Sequence, residues 1–154
     1  MSFSDELIQE LCKDPVPVLN RGYRAQERIA DRRDRIDKWR QVAVSITANP
    51  EHSGGSGGGP SNKIEKCVLG IMELEEEIID EINEIRSLES ENSKIIAAFV
   101  QDPNYKRILE LRYLSYKRWE EIAVGMGYTF RWTQTLHSRA LQQLKDNVAK
   151  YSAA

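Results

Sequence analysis

From Asn62 to about Gln101 the chain runs for some forty residues without a break in its apolar rhythm, and this stretch limits the fold more than any other. Ile64, Ile71, Ile78, Ile85 and Phe99 hold one heptad position, with the polar Asn92 falling between the last two. Cys67, Leu74, Leu88 and Ile95 hold the position three further on. A period of seven places these side chains along one side of an α-helix, whereas a strand would need strict alternation. Asn62 and Glu65 have the spacing of a capping box, which predicts the helix start. About 39 residues at ~1.5 Å each give a rod of roughly 58 Å. Such a rod is stable only where another element covers its seam.

The covering element is predicted over Val18 to Ala48, where Ala25, Ile29, Ile36, Trp39, Ala43 and Ile46 recur at three- and four-residue steps. Between the two lies "NPEHSGGSGGGPSN", a composition that reads as a flexible loop over 49–61. An engineering scar has the same composition; a native loop is the expectation, since the flanking helices need one. A dozen such residues span about 20 Å, and antiparallel helices pack about 8–10 Å apart, so the chain can fold straight back. Residues 18–101 are thus expected to form a long antiparallel helical hairpin. Val68, Ile82 and Ile96 widen the apolar stripe beyond what a two-helix seam uses. That width predicts a homo-oligomer, with a dimer favoured, unless the short N-terminal helix or the C-terminal domain covers the excess.

The N-terminal segment 1–17 holds Phe3, Leu7, Ile8 and Leu11 on one helical side, and Pro15 and Pro17 are expected to end that helix. At 102–150 a new domain begins. Asp102 is a good N-cap and Pro103 suits the first helical position, with Ile108, Leu109, Leu111 and Leu114 facing inward. The next stretch, "RWEEIAVGMGYTFRWTQTLHSRALQQL", places two short helical patterns on either side of "GYT". Ala123 follows Trp119 by four, Gly127 follows Ala123 by four and Leu136 follows Gly127 by nine, with Ile122 and Met126 completing the inner side. This is the spacing of a helix-turn-helix. The whole fold is expected to be all-α.

Thr129 caps the second helix, and a wheel of 100° per residue puts Thr133, Leu136, Ala140 and Leu144 on one side. The opposite side holds Arg131, Thr135, Ser138 and Gln142, flanked by Gln134 and Arg139. Arg pairs with guanine O6/N7, Gln with adenine N6/N7, and a Thr methyl meets the thymine methyl, so this set suits base edges in a major groove. No carboxylate interrupts it. Charge supports the same reading, for the net −2 is unevenly spread: residues 61–100 carry 4 Lys+Arg against 10 Asp+Glu, and residues 101–154 carry 9 against 5. Arg131, Gln134, Thr135 and Ser138 are therefore the expected base contacts, and Lys117, Arg118, Thr129, Arg139 and Lys145 the expected phosphate contacts. An ordinary solvated helix surface is the competing reading. Trp119 is expected in the core, and His137 as a buried structural histidine. Trp132 either packs on a thymine methyl or sugar or seals the domain.

Other chemistries find little support. Cys12, Cys67, His52 and His137 have no metal-ligand spacing, so no metal or cofactor is expected. "SGGSGGGPSNK" lacks the GK[ST] of a phosphate loop, and no acid–base pair or nucleophile arrangement appears, so an enzyme is not expected. Without a signal peptide or an apolar run long enough for a membrane span, a cytoplasmic location is expected.

The stretch "YKRILELRYLSYKRWEEIAVGMGYTFRWTQTLHSRALQQL" resembles region 4 of sigma-70-type factors, with "EEIA", "GYT" and "RAL" at matching places. The arrangement over about 18–150 resembles phage and prophage late-gene transcription regulators of the ArpU/RinA type. The resemblance implies a sequence-specific activator that binds double-stranded DNA, in a bacterial host cytoplasm, with host RNA polymerase as a further partner. It also implies that Arg131, Gln134 and Thr135 touch bases. Thr133 stands where that pattern has an aliphatic residue, and Phe130 and Trp132 replace residues that are charged or polar, which bears on the target sequence. A small terminase-like DNA-packaging protein and a polymerase-binding adaptor are the alternative readings.

Overall fold

The computed structural model describes residues 3–48 and 60–154, and among these the chain is all-α, with seven helices and no strand. Helix α1 (Asp5–Lys13) starts where the Ser4 hydroxyl accepts from the Leu7 amide, with Asp5 and Glu6 at its positive end and Lys13 at its negative end. Pro15 does more than end it. The Asp14 carboxylate accepts from the Val16 amide at 3.1 Å, so Pro15 becomes the first residue of a short α2 (Pro15–Leu19). Val18 and Leu19 belong to α2, and α3 (Arg21–Ala48) consequently starts three residues later than the periodicity suggested.

Helix α4 (Pro60–Phe99) begins before Asn62, which lies within the helix and is not its cap. Proline is tolerated there because a first-turn N–H has no helical partner. The capping box expected at Asn62 and Glu65 is therefore not where the helix starts. Of the loop expected over 49–61, residues 49–59 lie outside the described residues. Helix α5 (Pro103–Tyr113) is capped by Asp102, whose carboxylate accepts from the Asn104 and Tyr105 amides at 2.9 and 3.2 Å. On it Tyr113 is buried alongside Ile108 and Leu109, while Leu111 and Leu114, expected in the core, are only half-buried. Helices α6 (Trp119–Met126) and α7 (Phe130–Ala153) complete the chain.

Packing divides the chain into two compact units at places other than 17 and 101: Met1–Arg24 with Ile85–Ala154, and Ala25–Glu84. In the first unit α7 packs against α1, α2, α5 and α6. Its core joins Leu7, Ile8 and Leu11 of α1 and Val18 and Leu19 of α2 to Ile95, Ile96 and Phe99 at the end of α4. Ile108, Leu109, Ile122, Leu136, Leu144 and Val148 fill the rest. Ile96, one of the three residues that widened the stripe, is buried in this core. Asn92 is buried here, and its amide donates to the Leu19 carbonyl at 3.0 Å, which satisfies an oxygen at the end of α2. Two polar staples hold α7 to the α4–α5 junction: Gln143 accepts from the Gln101 amide, and Asn147 donates to the Phe99 carbonyl at 2.7 Å.

In the second unit α3 and α4 run antiparallel, since partners climb one helix as they descend the other. Arg28 donates to Glu81 at 2.9 and 3.1 Å, Arg32 donates to Glu77 at 2.8 Å, and the Trp39 indole lies against Gly70. Their buried seam is Ala25, Ile29, Ile36 and Ile46 from α3 with Cys67 and Leu74 from α4. Hydrogen bonding to Arg28 holds the Glu81 carboxyl below its usual range. Exposed ion pairs stabilise little singly, but this set fixes the register. Val68, which also widened the stripe, remains exposed.

Gly22 shows how closely the first unit packs. A Cβ there would meet the Tyr116 hydroxyl at 2.5 Å, and Tyr116 cannot readily step aside, because it sits at φ 55° and donates to Glu89 at 2.8 Å. We expect Gly22→Ala to cost about 1–2 kcal/mol by overpacking. Gly125→Ala, a helical position with nothing within 4 Å, should stabilise by about 0.5–1 kcal/mol. Urea unfolding of the two variants, compared with the parent chain, checks both signs.

Candidate nucleic-acid interface

The turn between α6 and α7 is built from three residues. Gly127 adopts φ 72°, a left-handed conformation that lets its N–H bond back to the Val124 carbonyl at 3.2 Å, and Tyr128 N–H reaches the Ala123 carbonyl at 2.9 Å. Thr129 is extended and accepts from the Trp132 amide at 3.1 Å, starting α7. One side of α7, namely Thr133, Leu136, Ala140, Leu144 and Val148, is then buried. Thr133 is accommodated in this apolar side because its hydroxyl donates to the Thr129 carbonyl at 2.8 Å, leaving its methyl to pack.

The other side faces solvent. Arg131, Ser138 and Gln142 are exposed, and Thr135 and Gln134 are half-buried at its margins. From Phe130 to Lys145 there is no carboxylate. The Thr135 hydroxyl donates to the Arg131 carbonyl and the Ser138 hydroxyl to the Gln134 carbonyl, each at 3.2 Å. With their protons so used, both oxygens present lone pairs outward and would accept from an exocyclic amine such as cytosine N4 or adenine N6.

The flanks differ from each other. On one, the Arg139 guanidinium lies 5.2 Å from the Trp132 ring centroid. Trp132 is 39% exposed, so it does not seal the domain, and its ring restricts where Arg139 can reach. On the other flank, Ser138, Gln142 and Lys145 border a cleft of about 360 Å³ whose far wall is Lys13, Asp14 and Pro15 at the α1–α2 corner. Nothing in the local pattern around residue 13 signals this, because the juxtaposition joins positions more than a hundred residues apart.

Of the remaining expected phosphate contacts, Lys117 and Arg118 sit on the α5–α6 connection and Thr129 in the α6–α7 turn. Lys117 is exposed while its backbone is pinned at both ends: its N–H donates to the Leu111 carbonyl and its carbonyl accepts from Arg112, each at 3.0 Å. Arg118 is also exposed, but its Nε donates to the Glu121 carboxylate at 2.8 Å, a hydrogen bond that holds Glu121 below the usual carboxylate range. Part of its charge is therefore already matched. Thr129 offers only its remaining hydroxyl proton, its oxygen being taken by the cap.

Behind the face lies a set of residues that spacing did not link. His137 Nε2 and the Tyr113 hydroxyl are hydrogen-bonded at 2.7 Å, and the Trp119 ring stands edge-on to the imidazole at 4.5 Å. Arg112 lies 4.7 Å over the Trp119 ring and 5.6 Å from the Tyr23 ring. Burial, and then the charge of Arg112, push His137 down to about 4, and burial pushes Tyr113 up to about 12. Both are neutral near pH 7.

Among the described residues there is no group of three or more His, Cys, Asp or Glu side chains able to hold a metal ion, and no helix is long and apolar enough to cross a membrane. In comparison with known proteins, the chain matches no family model, no curated protein and no solved structure.

His137 predicts a pH dependence of stability. Its folded value lies below its ordinary 6.5, so the unfolded chain binds more protons between pH 6.5 and 4. The stabilisation is present above pH 6.5 and falls away towards pH 4, by on the order of 3 kcal/mol. Unfolding free energies across that window should show this slope, and His137→Gln should flatten it.

Proposed function

We propose that the chain is a sequence-specific double-stranded DNA-binding transcription regulator, with α6 and α7 acting as a helix-turn-helix and α7 entering the major groove. The supporting observation is the outer side of α7: Arg131, Ser138 and Gln142 exposed and Thr135 half-buried beside them, with no carboxylate from Phe130 to Lys145. Arg131, Gln134, Thr135 and Ser138 read bases in this proposal. Lys117, Arg139 and Lys145 touch phosphates, with lesser contributions from Arg118 and Thr129. The likeness of about residues 104–145 to sigma-70 region 4, and of about 18–150 to ArpU/RinA-type phage regulators, supports late-gene activation in a bacterial cytoplasm. The antiparallel α3–α4 pair of residues 25–84 serves as the helical hairpin of this reading and assembles two copies, which suits a paired site with half-sites about one turn of DNA, ~34 Å, apart.

A second reading is favoured by one feature of the same domain. Val124 is 82% exposed, and Tyr128 and Phe130 are exposed beside it around the α6–α7 turn. An apolar patch of this kind suits a protein partner, as in an adaptor that docks on RNA polymerase. Activity retained by an Arg131→Ala/Thr135→Ala double variant would favour the adaptor over the DNA reader.

Selection of bound duplexes from a random pool supplies the site for a direct test. Arg131→Ala should then cost about 1–3 kcal/mol on that site and relax its specificity, whereas Lys117→Ala should weaken all sequences alike and lower the salt slope by about one. Equal losses for Arg131→Ala on specific and random DNA would refute base reading. Glu121→Ala, which releases Arg118, should raise affinity for any duplex, and more so at low salt.

A further inference from the structure

Helix α4 carries a second apolar strip, distinct from the seam it buries against α3. Ile64, Val68, Met72, Glu75, Ile79 and Ile82 recur at steps of four, four, three, four and three, the spacing of a helix-packing surface. Yet Val68 is 48% exposed, Met72 53% and Ile79 58%. On a 100° wheel the strip lies about 60–140° round from Cys67, which faces α3. The ion pairs of Arg28 and Arg32 with Glu77 and Glu81, and the Trp39–Gly70 contact, all lie round the other way. The antiparallel pair is therefore tied together along one side, and along the other its α4 half is left apolar. On that open side α3 presents Arg33, Asp37, Arg40 and Val44, all exposed.

We propose that this side of residues 25–84 binds the same side of a second copy of the chain, each α4 strip lying on the partner's α3. The proposal specifies the assembly surface of the functional reading above and does not depend on DNA recognition. Two observations select the arrangement. The strip is roughly 27 Å long and about 10 Å wide, or about 270 Å², well short of the ~800 Å² per partner that a stable interface buries, so both helices must take part. Charge then decides the register. Stacking α4 on α4 would set the Glu75 carboxylate of each copy against a strip whose other members are all apolar. Laying α4 across the partner's α3 brings Glu75 to a surface bearing Arg33 and Arg40; Arg40 lies 3.7 Å from Asp37 of its own chain, whereas among the described residues Arg33 has no ion-pair partner within its own chain and is left for Glu75. A two-fold axis makes the contact self-complementary and closes it at two copies.

Sedimentation equilibrium of the full chain without DNA tests this. The expected mass is twice the 17.7 kDa of one chain. Met72→Glu/Ile79→Glu should give single chains with unchanged helical circular dichroism, both positions being exposed already. Glu75→Arg should weaken the dimer at least tenfold, and adding Arg33→Glu and Arg40→Glu in the same chain should restore it. A single-chain mass for the unaltered protein would leave the strip to another occupant and overturn the proposal, as would a mass above two chains or a dimer that survives Met72→Glu/Ile79→Glu. Because mass is read without DNA, these outcomes are separate from the fate of Arg131→Ala.

Discussion

The one-sided burial of α7 is the constraint on which the first unit depends. Thr133, Leu136, Ala140, Leu144 and Val148 are covered by α1, α2, α5 and α6, so a single helix serves as the common wall for four others. A helix used in this way cannot rotate by even one residue without driving polar side chains into the core. The side opposite is presented at a fixed angle as a consequence of packing, and Arg131, Thr135, Ser138 and Gln142 are what it presents. The Gln143 and Asn147 staples add a lock along the axis, because each satisfies backbone groups at the α4–α5 junction that would otherwise go unpaired.

The connection between α5 and α6 is held with comparable strictness by aromatic and cationic side chains. Arg112 binds the Lys117 carbonyl while its guanidinium lies over Trp119 and near Tyr23. Tyr116 reaches Glu89 and closes on Gly22. His137 and Tyr113 stay neutral inside this group because burial penalises either charge. A positively charged residue such as Lys117 thus stands on a backbone hydrogen-bonded at both its N–H and its carbonyl.

Much of this organisation was legible in the residues. The Asp102 cap with Pro103, the Gly127–Tyr128–Thr129 turn, the Thr129 cap and the two sides of α7 follow from local rules that operate within four residues. Helix boundaries were less secure where two rules competed. Pro15 reads equally as an end and as a beginning, and Asp14 decided for a beginning by capping α2. Asn62 has a capping sequence but lies within α4, which begins at Pro60. Thr133 looked like a departure from an aliphatic position until its hydroxyl found the Thr129 carbonyl.

The linear order of residues by itself determined that the chain is helical, where its apolar periods fall, and which side of α7 is polar, because each of these depends on near neighbours along a helix. Only the tertiary structure decided that α1 and α2 join the end of α4 and α7 in one core, that Asn92 serves the Leu19 carbonyl, and that the α1–α2 corner borders Ser138 and Lys145. It alone separated Ile96, which is covered, from Val68, which is not. Contacts between distant segments depend on how whole helices fit together in space, and no periodicity within one segment encodes which other segment will cover it.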